Sequence, residues 1–522
     1  MLSRPAFHKY LIFRVKIIKQ NRERLIPVIE CILLCGYQET PLRGSNDFGP
    51  INFKTSTHNE GNFWAILKYK TKDIESLKSH LESDTRNKYL SPQIQNEIIN
   101  ICGDILTKKL VDKDNKSQCF SVMADETTNV SVSEQFTICI CHLSGTGSNI
   151  EINEDFLKFY EISSLTGNDL ASAILNWLNS CGVDCDFLFG QGYDGAENMA
   201  GRFKGAQTTI RSKHPKVLYV HCTAHSLNLA VSSACNIPSI RNCLGIVEKY
   251  YCFFNFPKRN HELLEVINNG DWQPNVLFSF GLPLCKQLQK KNIDLREMIS
   301  LANISIKVLD NLKENVDHEF KTMFKEAQRL AEMLDFEISV KRLANRQKHR
   351  SNSSSSDDPE DYYRVSICIP FIESFIYQLN ERFLAHQNIF KGFQCLFDDT
   401  NSDHIDFETL LQIWKQKGKC VAVGSDEVIT SNALDAIKHC DPIIFPNIFT
   451  LLKMLCTLPV STATPERTFS SLKRVKTYLR NSMKEDCLNG LVLLSYYRNI
   501  EITPEEVLDE LAKKKRKIDL IL

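Results

Sequence analysis

No stretch of this 522-residue chain holds the roughly 18–20 consecutive apolar residues that a membrane-spanning helix requires. The apolar opening, residues 1–20, is broken by Arg4, Lys9, Arg14, Lys16 and Lys19 and carries no secretory pattern. Net charge is missing as well: 63 Lys and Arg balance 63 Asp and Glu. Any contact with nucleic acid must therefore rest on local patches rather than on a global field. The chain also lacks C-x-x-C. Its 19 cysteines are scattered, which excludes the paired spacing of common zinc modules and reads as reduced thiols of a cytosolic or nuclear protein. There is no internal repeat. A soluble protein of two or three domains, with no membrane partner, is expected.

What is present begins with helix. Residues 21–115 carry apolar positions at helical spacing, first in Arg24–Cys35 and then in Ile94, Ile98, Ile101, Ile105 and Leu106. Residues 1–20 stand before this block as an N-terminal extension. From Cys119 the period becomes that of strands. Cys119–Ala124 runs into Asp125 and Glu126, Phe136–Cys141 follows, and Phe156–Ile162 is a third strand, with Gly145–Asn149 as a hairpin turn. Asn168–Cys181 is amphipathic (Leu170, Ile174, Leu175, Leu178). A fourth strand at Asp186–Phe189 and a fifth at Val217–Val220 complete the order β-β-β-α-β-α-β. Three antiparallel strands joined through a helix to parallel ones is the layout of an RNase H-like α/β fold, in which acids at strand ends do the chemistry.

Between the last two strands, Gly190-x-Gly192-x-x-Gly195 imitates a dinucleotide-binding turn. Bulky Tyr193 and anionic Asp194 occupy the bend a pyrophosphate must approach, and the next strand ends at His221 and Cys222 with no acid for a ribose. No nucleotide cofactor is expected. Cys222 and His225 form a C-x-x-H motif, half of a zinc site with no second pair at finger spacing. A buried cysteine beside a structural or DNA-touching histidine is the plainer reading.

Residues 236–445 show helical patterns with no strand pair, interrupted by a polar, Ser-rich segment at 341–361 that reads as a flexible loop. A last helical block covers 446–500, and a tail at 501–522 holds the basic run Lys513–Lys517. Within the block, Thr464 and Pro465 signal a helix start. At 100° per residue, Phe469, Leu472, Val475, Leu479 and Met483 form an apolar face, and Glu466, Ser470, Lys473, Thr477, Arg480 and Lys484 the opposite one. An acid heading a basic stripe suits metal and phosphate binding, while a solvated face with ordinary charge pairs suits the same pattern.

Four motifs in order carry a resemblance: Met123–Thr128, Tyr193–Met199, Cys222–Leu229 and Pro465–Ser470. Together they look like the hAT superfamily of cut-and-paste DNA transposases, in the branch with a DUF4371 domain and a C-terminal hAT dimerisation region. The resemblance covers roughly residues 21–500. It implies an RNase H-like catalytic core interrupted by a long all-α insertion domain, with an N-terminal helical segment. It further implies that Asp125, Asp194 and Glu466 form a DDE set holding Mg2+ or Mn2+ and that the chain self-associates in the nucleus, and the basic stripe is expected to face DNA through Lys473, Arg480 and Lys484. A catalytically silent regulator or scaffold on the same fold is the alternative. Two family features are missing: an N-terminal DNA-reading zinc finger, and a Thr-Arg-Trp segment after the C-x-x-H motif, so a shortened insertion is expected. The apolar surfaces around Phe445–Leu455 and Leu488–Tyr497 exceed one packing stripe. Either they are buried within one chain, or Leu491, Leu494 and Tyr497 meet a partner copy.

Overall fold

The structure, a computed structural model, describes residues 4–45, 47, 51, 53, 58–83, 88–128, 134–162, 164–268, 284–290, 293–333, 335–340, 358–394, 396, 432–476 and 483–514. The first helix, α1 (Arg4–Tyr37), absorbs the expected N-terminal extension, running straight through Pro27. It is followed by α2 (Asn62–Lys70), α3 (Glu75–Glu82) and α4 (Pro92–Ser117). The last begins as the sequence dictates: Pro92 is in its first turn and the Ser91 hydroxyl accepts from the Ile94 N–H. Then come β1 (Phe120–Thr128), β2 (Glu134–Ser144), β3 (Glu151–Glu161), α5 (Gly167–Ser180), β4 (Leu188–Tyr193), the single turn α6 (Glu197–Ala200), α7 (Ala206–Lys213), β5 (Leu218–His221) and α8 (Thr223–Ala234).

These strands form one five-stranded sheet in the order β3-β2-β1-β4-β5. β1 pairs antiparallel with β2, and β2 with β3, whereas β4 lies parallel to both β1 and β5. One expected boundary moves. The stretch Gly190–Tyr193, read from sequence as a turn, is buried strand, and Cys185–Phe187 is a short 3-10 turn before it. Glycine in a buried strand marks close approach of another backbone. At Gly192 a Cβ would stand 2.5 Å from the Pro459 ring.

Helices continue from α9 (Pro238–Phe254) and α10 (Pro257–Asn268) to α11 (Leu295–Glu314) and α12 (Val316–Met333). Next, α13 (Pro359–Tyr363) passes through a π-helical turn, Arg364–Cys368, into α14 (Ile369–Gln394). Most of the expected flexible loop, at 341–357, lies outside the described residues, and its end, 359–361, is helix. The chain returns to the sheet with α15 (Ala433–Lys438), α16 (Pro446–Thr457), α17 (Ala463–Val475), α18 (Glu485–Tyr496) and α19 (Pro504–Lys513). Among the described residues no helix is long and apolar enough to cross a membrane.

Strand alternation sorts what covers each face. Val122, Ile140 and Gln191 lie on one face, where His142 reaches Asp114 of α4 and Gln191 donates to the Gln207 carbonyl of α7. Ser121, Cys141 and Gly190 lie on the other, against the α16–α17 segment. α18 packs across α4 and runs along the free edge of β3. There the Asn489 amide accepts from the Phe159 N–H at 2.7 Å and donates to the Phe159 carbonyl at 2.9 Å. A side chain thus occupies the hydrogen-bonding positions an exposed strand edge would otherwise present.

This packing decides between the two readings of the C-terminal apolar surface. Leu491, Leu494 and Tyr497, expected to meet a partner, are 3%, 0% and 5% exposed inside the single chain. They close the core against α1, α4 and β3, because a sheet with a free edge and a long helical prelude needs that much apolar surface to cover it. Among the described residues between 430 and 500, the large apolar side chains left exposed are Ile443, at 89%, and Ile444, at 53%.

Candidate functional site

The same alternation places Asp125. It sits directly opposite Thr137 on β2, and Thr137 Oγ1 meets Thr468 Oγ1 of α17 at 3.2 Å. Asp125 therefore emerges on the face that α17 covers, and Thr468 lies two residues along that helix from Glu466. Asp194 is the first residue beyond β4, the parallel neighbour of β1. The three acids are brought to one end of the sheet by three separate elements: strand, strand end and helix start.

Their electrostatics report the proximity. Burial pushes the Asp125 carboxyl up to about 7, and the charges of Asp194, Glu466 and Glu126 push in the same direction, against a stabilising N–H from Glu126. That N–H reaches Asp125 Oδ1 at 2.9 Å. Glu126 is raised too, by desolvation and then by Asp194, and is countered by Asn198, whose amide donates to it at 3.1 Å. Glu466 stands at the solvent-facing rim. Partial desolvation lifts its carboxyl while His225 and Arg467 pull it back. Asp194 Oδ1 accepts from the Ala196 N–H at 3.2 Å, which fixes the bend that follows the strand.

All three are oxygen donors, a hard set suited to Mg2+ or Mn2+. Repulsion of the half-buried Asp125 carboxyl by its acidic neighbours is what a divalent cation would relieve. The three do not converge to within 4.8 Å of one another; among the described residues that spacing is met by Asp114, His142 and Asp155 instead.

The C-x-x-H motif works as a fastener. Cys222, fully buried, takes the Thr462 N–H on its sulfur at 3.4 Å, and the Thr223 N–H and hydroxyl both donate to the Val460 carbonyl, at 3.0 and 2.8 Å. Burial raises the Cys222 thiol, so it stays protonated and inert. These bonds tie the start of α8 to the segment that launches α17, and so set where Glu466 stands. His225 faces His221 with ring centroids 6.1 Å apart. A Cβ on Gly195 would lie 2.5 Å from His221 Nε2, so the Asp194 bend sits directly against this pair and a side chain there would push the His221 ring aside. His221 and Asn198 are site residues that sequence reasoning passed over; both lie inside or beside the motifs, but neither residue type announces its role without a partner in view.

The basic stripe is only partly assembled. Lys473 shares the exposed face of α17 with Glu466 and Ser470. α17 ends at Val475, however, and Lys484 caps a different helix, α18, so the two lysines do not share one continuous face. Arg480, with Thr477 and Leu479, lies outside the described residues. The helix starts earlier than expected: Thr462 is at the cap position, while Thr464 Oγ1 is engaged by Glu154 and Arg467.

Comparison with known families assigns two regions of the chain. The chain carries the DUF4371 domain, described as the ZMYM1/FAM200 RNase-like domain, over residues 12–205. Over residues 430–500 it carries the hAT family C-terminal dimerisation region. By these two regions the chain is similar to hAT-type, transposase-derived proteins. Among characterised proteins it is similar to the 52 kDa repressor of the inhibitor of the protein kinase from Homo sapiens, 23% identical over 581 residues, spanning 91% of this chain and 74% of that one. The Mus musculus protein of the same name is likewise 23% identical, over 588 residues that span 91% of this chain and 75% of the mouse protein.

Proposed function

We propose that this chain is a hAT-type transposase, or a transposase remnant, that binds DNA and self-associates in the nucleus. In this reading Asp125, Asp194 and Glu466 are the metal-holding acids of a strand-transfer site on an RNase H-like core, which the helices between α8 and α15 interrupt as an insertion. The observation that carries the reading is the electrostatic coupling of Asp125 to both Asp194 and Glu466 across 341 residues of sequence, since 466 − 125 = 341. A bound Mg2+ or Mn2+ pair would supply Lewis acidity at the phosphate and an activated water or 3′-hydroxyl. The chain's own contribution is to hold Asp125 on β1 and Asp194 just past the end of its parallel neighbour β4, and to bring Glu466 alongside through the Cys222–Thr462 contact. Lys473 and Lys484, with Arg480, would meet the DNA backbone. The run Lys513–Lys517 would serve as the nuclear address; replacing all five by Ala should leave a tagged protein in the cytoplasm.

The test is metal-dependent nicking of supercoiled DNA by the purified chain. Nicking that is abolished in Asp194→Asn and in Glu466→Gln supports the enzyme. DNA binding without nicking in either metal sinks the strand-transfer part and leaves the second reading, a regulator that keeps the fold as a scaffold. That second reading is favoured by relatives whose name describes repression.

A further inference from the structure

A second ionisable cluster lies away from these acids. Asp114, near the end of α4, His142 on β2 and Asp155 on β3 offer one ligand atom each, all within 4.8 Å of one another. The placement follows from register. His142 pairs with Asn153, so Asp155, opposite Ile140, stands diagonally across the same face, the face that α4 covers. His142 also pairs with Phe120, five residues before Asp125 on β1. The cluster is therefore roughly 17 Å along the strand from Asp125 and on the opposite face of the sheet.

The interior here is closed. Side-chain exposures are 0% for Asp114, 1% for His142 and 14% for Asp155. Asp114 Oδ1 holds His142 Nδ1, while His142 Nε2 and Asp155 Oδ2 face each other at 3.8 Å. Asp114 Oδ2 is buried with no hydrogen-bond partner. Two carboxylates and a neutral imidazole sum to two negative charges, and an imidazolium would cancel only one. Lys113, the lysine that acts on Asp155, is solvent-exposed. Buried charge of this kind needs a compensating partner inside the same cavity.

We propose that His142 and Asp155, with Asp114 behind the imidazole, bind a divalent transition-metal ion of the zinc type, as a structural site independent of the strand-transfer acids. The donor set of imidazole and carboxylate is borderline-hard and suits zinc: His142 Nε2 and Asp155 would ligate the ion together with trapped water, while Asp114, on the far ring nitrogen, would orient the imidazole. Bond lengths of about 2.0–2.2 Å put tetrahedral ligand atoms about 3.4 Å apart. The 3.8 Å between His142 and Asp155 is within half an ångström of that spacing. A carboxylate on the far ring nitrogen is the usual way a metal-bound histidine is oriented. Tyr497 supplies a further brace: its hydroxyl lies 2.8 Å from the Phe156 carbonyl and 3.3 Å from Asp155 Oδ1. The ion would lock α4, β2 and β3 to one another, with the end of α18 attached through Tyr497.

The test uses the full chain, purified without a histidine tag, stripped with chelator and titrated with Zn2+ and with Co2+ in saturating Mg2+. The expected result is about one zinc per chain that Mg2+ does not displace. With Co2+, visible tetrahedral bands should arise without the near-ultraviolet sulfur-to-cobalt band that cysteine ligands would give. Asp114→Asn and Asp155→Asn should each weaken zinc binding at least tenfold, whereas Asp125→Asn should leave it unchanged. No retained zinc, or a sulfur-to-cobalt band, overturns the proposal, and so does unchanged affinity in both variants. Should the variants fail to fold, the wild-type Co2+ spectrum decides alone.

Discussion

Replacing Gly490 with Ala sets two effects of known size against each other. In an exposed helix interior, Gly to Ala stabilises by about 0.8–1.0 kcal/mol, because glycine has more backbone freedom to lose. At Gly490, in α18, an added Cβ would sit 2.5 Å from the Ile99 carbonyl oxygen and 2.8 Å from its Cγ2. The obstacle is backbone of α4, which cannot rotate aside. A Cβ on Gly103, from the other side of the crossing, would stand 3.0 Å from the Gly490 Cα, so both helices are at closest approach there. Restoring ordinary contact means spreading the helices by about 1 Å, and overpacking of this kind costs about 1–3 kcal/mol. The clash should offset or outweigh the propensity gain, leaving Gly490→Ala destabilised by up to about 2 kcal/mol. Gly245 in α9 has nothing within 4 Å of its Cβ position. There the propensity term acts alone, and Gly245→Ala should be neutral or stabilising by up to about 1 kcal/mol. Chemical denaturation of both variants beside the parent reads the difference. A Gly490→Ala chain as stable as Gly245→Ala would refute the close crossing, and with it the internal role of the dimerisation region.

Three further outcomes are expected. Asn489→Leu removes both amide bonds to the Phe159 backbone at a buried strand edge and should cost about 2 kcal/mol by denaturant melts, with aggregation rising as the β3 edge is uncovered. In chelator, folded Asp125 holds a proton up to about pH 7 that the unfolded chain releases near 3.8, so its contribution to stability is full below about pH 4 and lost as pH climbs through 7. Asp125→Asn should therefore match the parent at pH 4 and exceed it at pH 8 by about 2–4 kcal/mol; a constant difference across that range would contradict the coupling. Charging Ile443 and Ile444 to Glu should shift any oligomer toward a folded monomer on a sizing column. Leu491→Glu with Leu494→Glu should unfold the chain, and a soluble, folded double variant would show that those positions are not core.

Local pattern determined much of this protein. The alternation in Phe136–Cys141, the helical spacing from Ile94 to Leu106 and the cap-and-proline start of α4 each settle one element, because period and capping are properties of a few neighbouring residues. The strand order was legible for the same reason, since antiparallel hairpins followed by a helix leave little choice of topology. Local pattern showed the acids only as residues at element ends, and it was the family resemblance that joined them into one set. That Asp125 answers to Glu466 depends on a contact between segments more than 300 residues apart, made through Cys222 and Val460, and no local pattern encodes it. Gly190 and Gly192 looked like a turn because glycine permits one; they are strand, paired with β1 and β5, and are glycine because Ser121 and Pro459 pass too close for side chains. The broad apolar surface of α18 could not say whether it met another copy or its own chain. The fold answered it, because α1, α4 and the open edge of β3 had to be covered and only the C-terminal helix was placed to cover them.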